Sequence, residues 1–251
     1  MLPQQPTLPS SSDRIHWLRP FEITESPRFL IKISQNESFS RRFEVVSGKC
    51  GGPFLALVAS LTAYPEKFGR IVKGHKIKDG HMHFNFYASP GNLKAVKIDN
   101  RLPTIDKKLI YAQAPREIFW CAFLEKAYAT FLGGYNVIQN ASPPDVIFHL
   151  TGLKSSYSPV KRSSPDGIYL KLSEAMSQES VIIVLTADNK SSTVTGIRQK
   201  FARKSLETSI RTNIGVNGNF EEKWLGFQEF CATFDHLYIS KPEKRFCRHC
   251  Q

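Results

Sequence analysis

Long apolar runs are missing from this 251-residue sequence. No stretch reaches the roughly 18 consecutive apolar residues of a membrane-spanning helix, so no transmembrane segment is expected. The opening MLPQQPTLPSSSD has neither a basic lead nor an apolar core, which argues against a secretory signal and makes the cytoplasm the expected compartment. Cysteine is sparse, with five residues (Cys50, Cys121, Cys231, Cys247 and Cys250) whose spacing is not that of a disulfide framework. They read as reduced thiols. Acidic residues are short as well, 22 against 34 Lys and Arg, giving a net charge of +12 and a pI near 9.5. Such an excess favours acidic partners, nucleic acid or anionic lipid. The basic residues are scattered, however, and the densest piece, IRQKFARK (197–204), holds four in eight. It reads as a solvated basic face.

What is present is globular in character. Apolar residues make up 41% and charged residues 22%, and the length suffices for one or two cores. Residues 1–13, rich in Pro, Gln and Ser, read as a disordered N-terminal segment. FLALVASLTA (54–63) has helix length, with Gly51, Gly52 and Pro53 as its start signal. HMHFNFYASPGNLKAVKID (81–99) alternates on both sides of a turn at SPGN, the pattern of a β-hairpin. FWCAFLEKAYATFLGG (119–134) sets Trp120, Phe123, Leu124, Ala127, Tyr128 and Phe131 on one helical face, and Gly133 and Gly134 supply its C-cap. NASPPD (140–145) reads as loop. Beyond about residue 155, short alternating segments (GIYLKL, SVIIVLTA, STVTGI, TSIRTNI, HLYIS) read as strands. A helix-dominated first half and a strand-dominated second half predict an α+β fold of two lobes, with no internal repeat.

FWCAFLEKAYATFLGGYN resembles the calpain-family helix pattern W-x-A-L-L-E-K-A-Y-A-K-x-x-G-x-Y nearly position for position. VKIDNRLPT (96–104) is similar to the family's V-D-D-R-L-P-T, and IHWLRPFEI (15–23) to W-x-R-P-x-E-I. ASLTAYPEKFGRIV (59–72) and WLGFQEFCATFDHLYIS (224–240) match further family segments, in family order. The resemblance implies a papain-like two-lobed cysteine protease core of peptidase family C2. Its helical lobe spans residues 14–150, its β-rich lobe 151–242, and 243–251 form a tail. In that fold the helical lobe carries the thiol and the β lobe the histidine.

Thiol protease chemistry needs a thiolate at a helix N-terminus, an imidazole in reach, an amide to orient it and a donor for the oxyanion. Anchored on ASLT, the resemblance puts the family's cysteine eight residues before Ser60, at Gly52; anchored on FEVVSG (43–48), it falls on Pro53. Cys50 lies two or three residues too early, and an offset of two turns a helical side chain by about 200°. The oxyanion-hole glutamine aligns with Ser47 and the histidine, from STVTGI (192–197), with Lys190. No histidine lies between His149 and His236. RTNIG (211–215) resembles R-N-P-W-G with its order disturbed, which leaves Asn213 as the orienting amide; read without the resemblance, Asn213 is a turn residue beside Gly215.

These positions predict a degenerate site and a non-catalytic binding or regulatory pseudo-protease, whose former cleft holds a protein or extended peptide. The alternative is a divergent calcium-dependent endopeptidase that uses Cys50 with His149 or His236. Anionic-lipid binding through the basic surface is a third reading.

Calcium is the one cofactor the resemblance leaves open. Glu44 and Glu125 align with a pair of calcium-binding carboxylates, yet SFSRR (38–42) is basic where a cation would dock, so the site reads as vestigial. Taken alone, Glu125 reads as a helix-surface glutamate. CRHC (247–250) is half of a zinc site at most, and His81 and His83 of HMH read as exposed strand residues.

Overall fold

Alternation over 81–99 folds as the sequence predicts, into a hairpin whose inward residues Met82, Phe84, Phe86, Val96 and Ile98 are buried. The structure, a computed structural model, describes residues 5–8, 14–29, 52–61, 76–78, 81–114, 117–188, 190–202, 205–216 and 219–242. In chain order the elements are β1 (His16–Leu18), α1 (Pro20–Ile23), α2 (Gly52–Leu61), β2 (Lys76–Lys78), β3 (His81–Ser89), β4 (Asn92–Asp99), β5 (Leu102–Ile105) and β6 (Lys108–Leu109). There follow α3 (Trp120–Leu132), α4 (Tyr135–Gln139), α5 (Pro143–Thr151), β7 (Ser155–Pro159) and α6 (Pro165–Ser177). The last are β8 (Ile182–Leu185), β9 (Ser191–Ala202), β10 (Ser205–Val216), β11 (Asn219–Gly226), α7 (Phe227–Thr233) and β12 (His236–Ser240). They make a mixed helix-and-sheet fold. The two three-stranded sheets run β1-β5-β6 and β2-β3-β4, and the six-stranded sheet runs β11-β10-β9-β8-β12-β7.

The strand β8 explains how the pieces join. Its four residues are buried on both faces, as expected of a strand covered by helices on each side. Ile183 packs into the larger apolar cluster, with α2, α3, α5 and the β3–β4 hairpin. Ile182 and Val184 point the other way, into a cluster with Ile168 and Leu172 of α6 and Phe230 of α7. The period of two thus assigns one strand to two cores.

Several sequence expectations change here. GIYLKL is not a strand but the middle of α6. Ser164 caps that helix by accepting from the Gly167 N–H, and Pro165 occupies its first turn, where proline loses no hydrogen bond. The Pro-Pro-Asp of NASPPD likewise opens α5 behind Ser142. Residues 5–8, inside the stretch read as disordered, are tied down: Thr7 bridges to Gly134, and the Gln5 amide donates to Asp99. The helix α3 ends at Gly133 as expected, but it is buried all round from Trp120 to Ala129, not on one face.

Candidate functional site

The helix expected to carry a thiol begins at Gly52, whose φ is +73°. That left-handed backbone is open to glycine and costs an L side chain about 1–2 kcal/mol. Pro53, the other candidate for the thiol position, is buried and has no N–H to offer. From Pro53 to Leu61 every residue of α2 is buried, and the helix packs against β8, β9, β10, α4 and α5. A continuous apolar sequence is therefore what its position demands. Cys50, Ser47 and Glu44 lie outside the described residues.

Lys190, where the family's histidine is expected, closes the turn from β8 to β9. Its N–H donates to Thr186 Oγ1, and its carbonyl accepts from the Thr186 N–H. The ammonium is 75% exposed and pairs with Asp188 at 2.8 Å. The hydrogen bond to Asp188 raises the pKa of Lys190 above the usual lysine value. The Lys190 bond, helped by Thr186, holds Asp188 down to about 2. A lysine acts as a base only when burial or a neighbouring cation lowers its pKa, and here the shift runs the other way.

Asn213 is not a turn residue. It lies within β10, opposite Thr193 of β9 and Glu222 of β11. The register therefore sets it beside Thr193, three positions beyond Lys190, so the strands do not place it opposite that lysine.

The two histidines of the alternative reading each bond a tyrosine hydroxyl. His149, near the end of α5, is bonded through Nδ1 to the Tyr128 hydroxyl at 2.9 Å, and burial lowers its pKa against the pull of Asp145. Tyr128 stacks on Phe54 of α2, with ring centroids 4.8 Å apart. His236 bonds the Tyr157 hydroxyl on the surface of β12. Burial pushes Cys121 well above the ordinary thiol pKa, and Cys231 is also raised by burial.

Glu125 is the largest departure from the sequence reading. It is completely buried, not on the helix surface. One carboxylate oxygen accepts from the Ala112 N–H at 2.7 Å, and the other has no hydrogen-bond partner among the described residues. Burial pushes its pKa up to about 8, with the Ala112 bond opposing, so at neutral pH it holds a proton. A calcium ion takes six to eight oxygen ligands. Among the described residues no group of three or more His, Cys, Asp or Glu side chains comes together. The expected partner of Glu125 in a calcium site, Glu44, lies outside the described residues. His81 and His83 are half-buried on β3 and opposite Asp99 and Lys97, and CRHC (247–250) lies outside the described residues.

A buried ion network, absent from the sequence reading, joins three of the motifs. Asp99 accepts from Lys126 Nζ, from the backbone and guanidinium of Arg101, and from Gln5. Burial alone would raise Asp99, but the bonds from Lys126 and Arg101 hold it below its usual value. Lys126 also donates to the carbonyls of Asp99 and Arg101, and it sits over the Trp17 ring at 5.1 Å. IHWLRPFEI, VKIDNRLPT and FLEKAYAT therefore meet at one point. Burial lowers Lys126 to about 8, with Asp99 opposing. No local sequence signal announced the network, because Asp99 and Lys126 are 27 positions apart.

Among the described residues no helix is long and apolar enough to cross a membrane. The sequence profile described as "Calpain family cysteine protease" matches residues 2–206, well over half of the chain. "Calpain clp-4" of Caenorhabditis elegans is 34% identical over 175 residues, 67% of this chain and 24% of that protein. "Calpain-A" of Drosophila melanogaster is 33% identical over 174 residues, 67% of this chain and 20% of that protein. The human "Calpain-2 catalytic subunit" is 26% identical over 262 aligned positions, covering 96% of this chain and 36% of that protein. The chain thus spans about a fifth to a third of the length of the curated relatives it matches. The profile and the identities show that the chain belongs to the calpain family.

Proposed function

We propose that this protein is a non-catalytic member of its family, a pseudo-protease that keeps a two-lobed papain-like core as a binding scaffold. The observation that carries the reading is Gly52: the residue aligned with the thiol opens α2 in a backbone conformation that disfavours any side chain there. Lys190 supports it, because an exposed, ion-paired ammonium with a raised pKa cannot take a proton from a thiol near neutral pH. Glu44 and Glu125 are in this reading the vestige of a calcium site, since SFSRR (38–42) is basic where a cation would dock. The mechanism is stoichiometric: the former cleft holds an extended peptide or protein segment, and the basic surface suits an acidic partner or anionic lipid.

The test is labelling with an epoxide-type thiol-protease inhibitor, with and without millimolar calcium, read by peptide mass mapping. Slow, equal labelling of several cysteines, or none, is the expected result. Calcium-dependent modification of Cys50 alone would instead establish a working thiol and the endopeptidase reading.

A further inference from the structure

The six-stranded sheet ends at β7. Strand β7 is divided by β12 from β8, against which α2 packs. Its hydrogen bonds can be assigned by parity. The Lys241 N–H donates to the Lys154 carbonyl, and the Val160 N–H donates to the Asp235 carbonyl. In this antiparallel register the even-numbered residues of β7 therefore bond inward to β12. Ser155 and Tyr157 turn their N–H and C=O groups outward, and among the described residues no strand pairs with them. Pro159 has no N–H, and its carbonyl already accepts from Ser163 Oγ. The open edge thus runs from Ser155 to Tyr157 and stops.

Both faces beside this edge are shaped for side chains. On one, the small Ser156 and Ser158 leave a groove of about 280 Å³ against α6, lined by Lys171, Glu174, Gln178 and Lys241. Lys171 Nζ donates to Ser158 Oγ, and Glu174 accepts from the Gln178 amide. On the other face Tyr157 is 51% exposed and lies beside Tyr238 and His236. Exposed Lys154 precedes the strand, and exposed Lys161, paired with Asp235, and Arg162 follow it, so lysine and arginine outnumber the carboxylates Glu174 and Asp235 around it. Lysines on an open edge oppose pairing with a second, identical edge and favour a strand of opposite charge.

We propose that β7 takes up an extended acidic segment of a partner protein by strand addition. The added strand exchanges hydrogen bonds with Ser155 and Tyr157. Its residues opposite Ser156 and Ser158 point carboxylates into the groove towards Lys171 and Lys241. The alternate residues lie on the face of Tyr157.

The probe is a fluorescein-labelled seven-residue peptide alternating glutamate and valine, titrated with the full chain and followed by anisotropy. Binding is expected to weaken at least tenfold with K171E/K241E, and at least tenfold when the peptide amides facing β7 are N-methylated. Lysine in place of glutamate in the peptide is expected to abolish it. A second probe, anionic phosphatidylserine vesicles, separates strand addition from general attraction to negative charge. The proposal is overturned if the peptide does not bind at millimolar concentration, or if N-methylation leaves affinity unchanged. It is also overturned if the vesicles bind and K171E/K241E weakens them while the peptide is unaffected. Cys50 labelling does not enter these readouts, so the pseudo-protease reading and this one fail independently.

Discussion

At the scale of single residues, the charges inside the larger core govern what can be measured. Lys126 is almost fully buried and holds Asp99 as well as two carbonyl oxygens. Replacing it with methionine keeps the aliphatic volume and leaves the buried Asp99 carboxylate with Arg101 and Gln5 alone. Removing one partner of a buried pair costs about 3–5 kcal/mol. Urea unfolding of Lys126→Met should show that loss, and a change below about 1 kcal/mol would mean the network is not anchored through this lysine. Glu125 gives a pH signature. Its folded pKa of about 8 lies above the ordinary 4.5, so the folded state holds a proton that the unfolded chain releases. Its contribution to stability is complete below about pH 4.5 and is lost as the pH rises to about 8. Lys126, lowered to about 8, is charged in both states over most of this window and adds little slope. Comparing unfolding free energies from pH 5 to 7.5, Glu125→Gln should remove a slope approaching about 1.4 kcal/mol per pH unit. Parallel profiles for the two proteins would place the Glu125 carboxyl in contact with water or a cation.

At the scale of elements, capping decides where reading and structure part. In α6 the alternation Ile168, Leu170, Leu172 fits a strand as well as a helix over so short a span. The start signal of Ser164 and Pro165 resolves it, and its side-chain bond to Gly167 is the device. Ser164→Ala should destabilise the protein by about 1 kcal/mol, with the loss of helix signal in far-UV circular dichroism confined to the unfolding midpoint. An unchanged midpoint would mean that packing of Ile168 and Leu172 alone holds the helix. The same comparison explains what was legible. The hairpin at 81–99 and the end of α3 follow from local period and a glycine, so the sequence suffices for both. The burial of Glu125 does not, because Ala112, which bonds it from outside the helix, reaches it only once the chain has folded. Asp99 and Lys126 are 27 positions apart, and nothing local announces their bond. Of the site, Gly52 and Lys190 were legible through the resemblance, whereas the left-handed backbone of the first and the ion pair of the second needed the structure.

At the scale of the whole molecule, the question is whether the two apolar clusters fold as one. They share β8: Ile183 belongs to the cluster around α2 and α3, while Ile182 and Val184 belong to the cluster around α6 and α7. A strand packed on both faces cannot leave one core without stripping the other, so unfolding should be a single cooperative transition. Truncating either face tests this. Ile183→Ala and Val184→Ala should each lower stability, the first by about 2–5 kcal/mol, without changing the denaturant slope. Tryptophan fluorescence weights the first cluster, where Trp120 is buried and Trp17 packs, whereas far-UV circular dichroism reports on the whole chain. The two signals should coincide in the wild type and in both variants. A fluorescence transition at higher denaturant than the circular dichroism in Val184→Ala would show that the cluster around α2 and α3 survives alone. The β-rich part, with its β7 edge, would then be a separable module rather than the second face of one core.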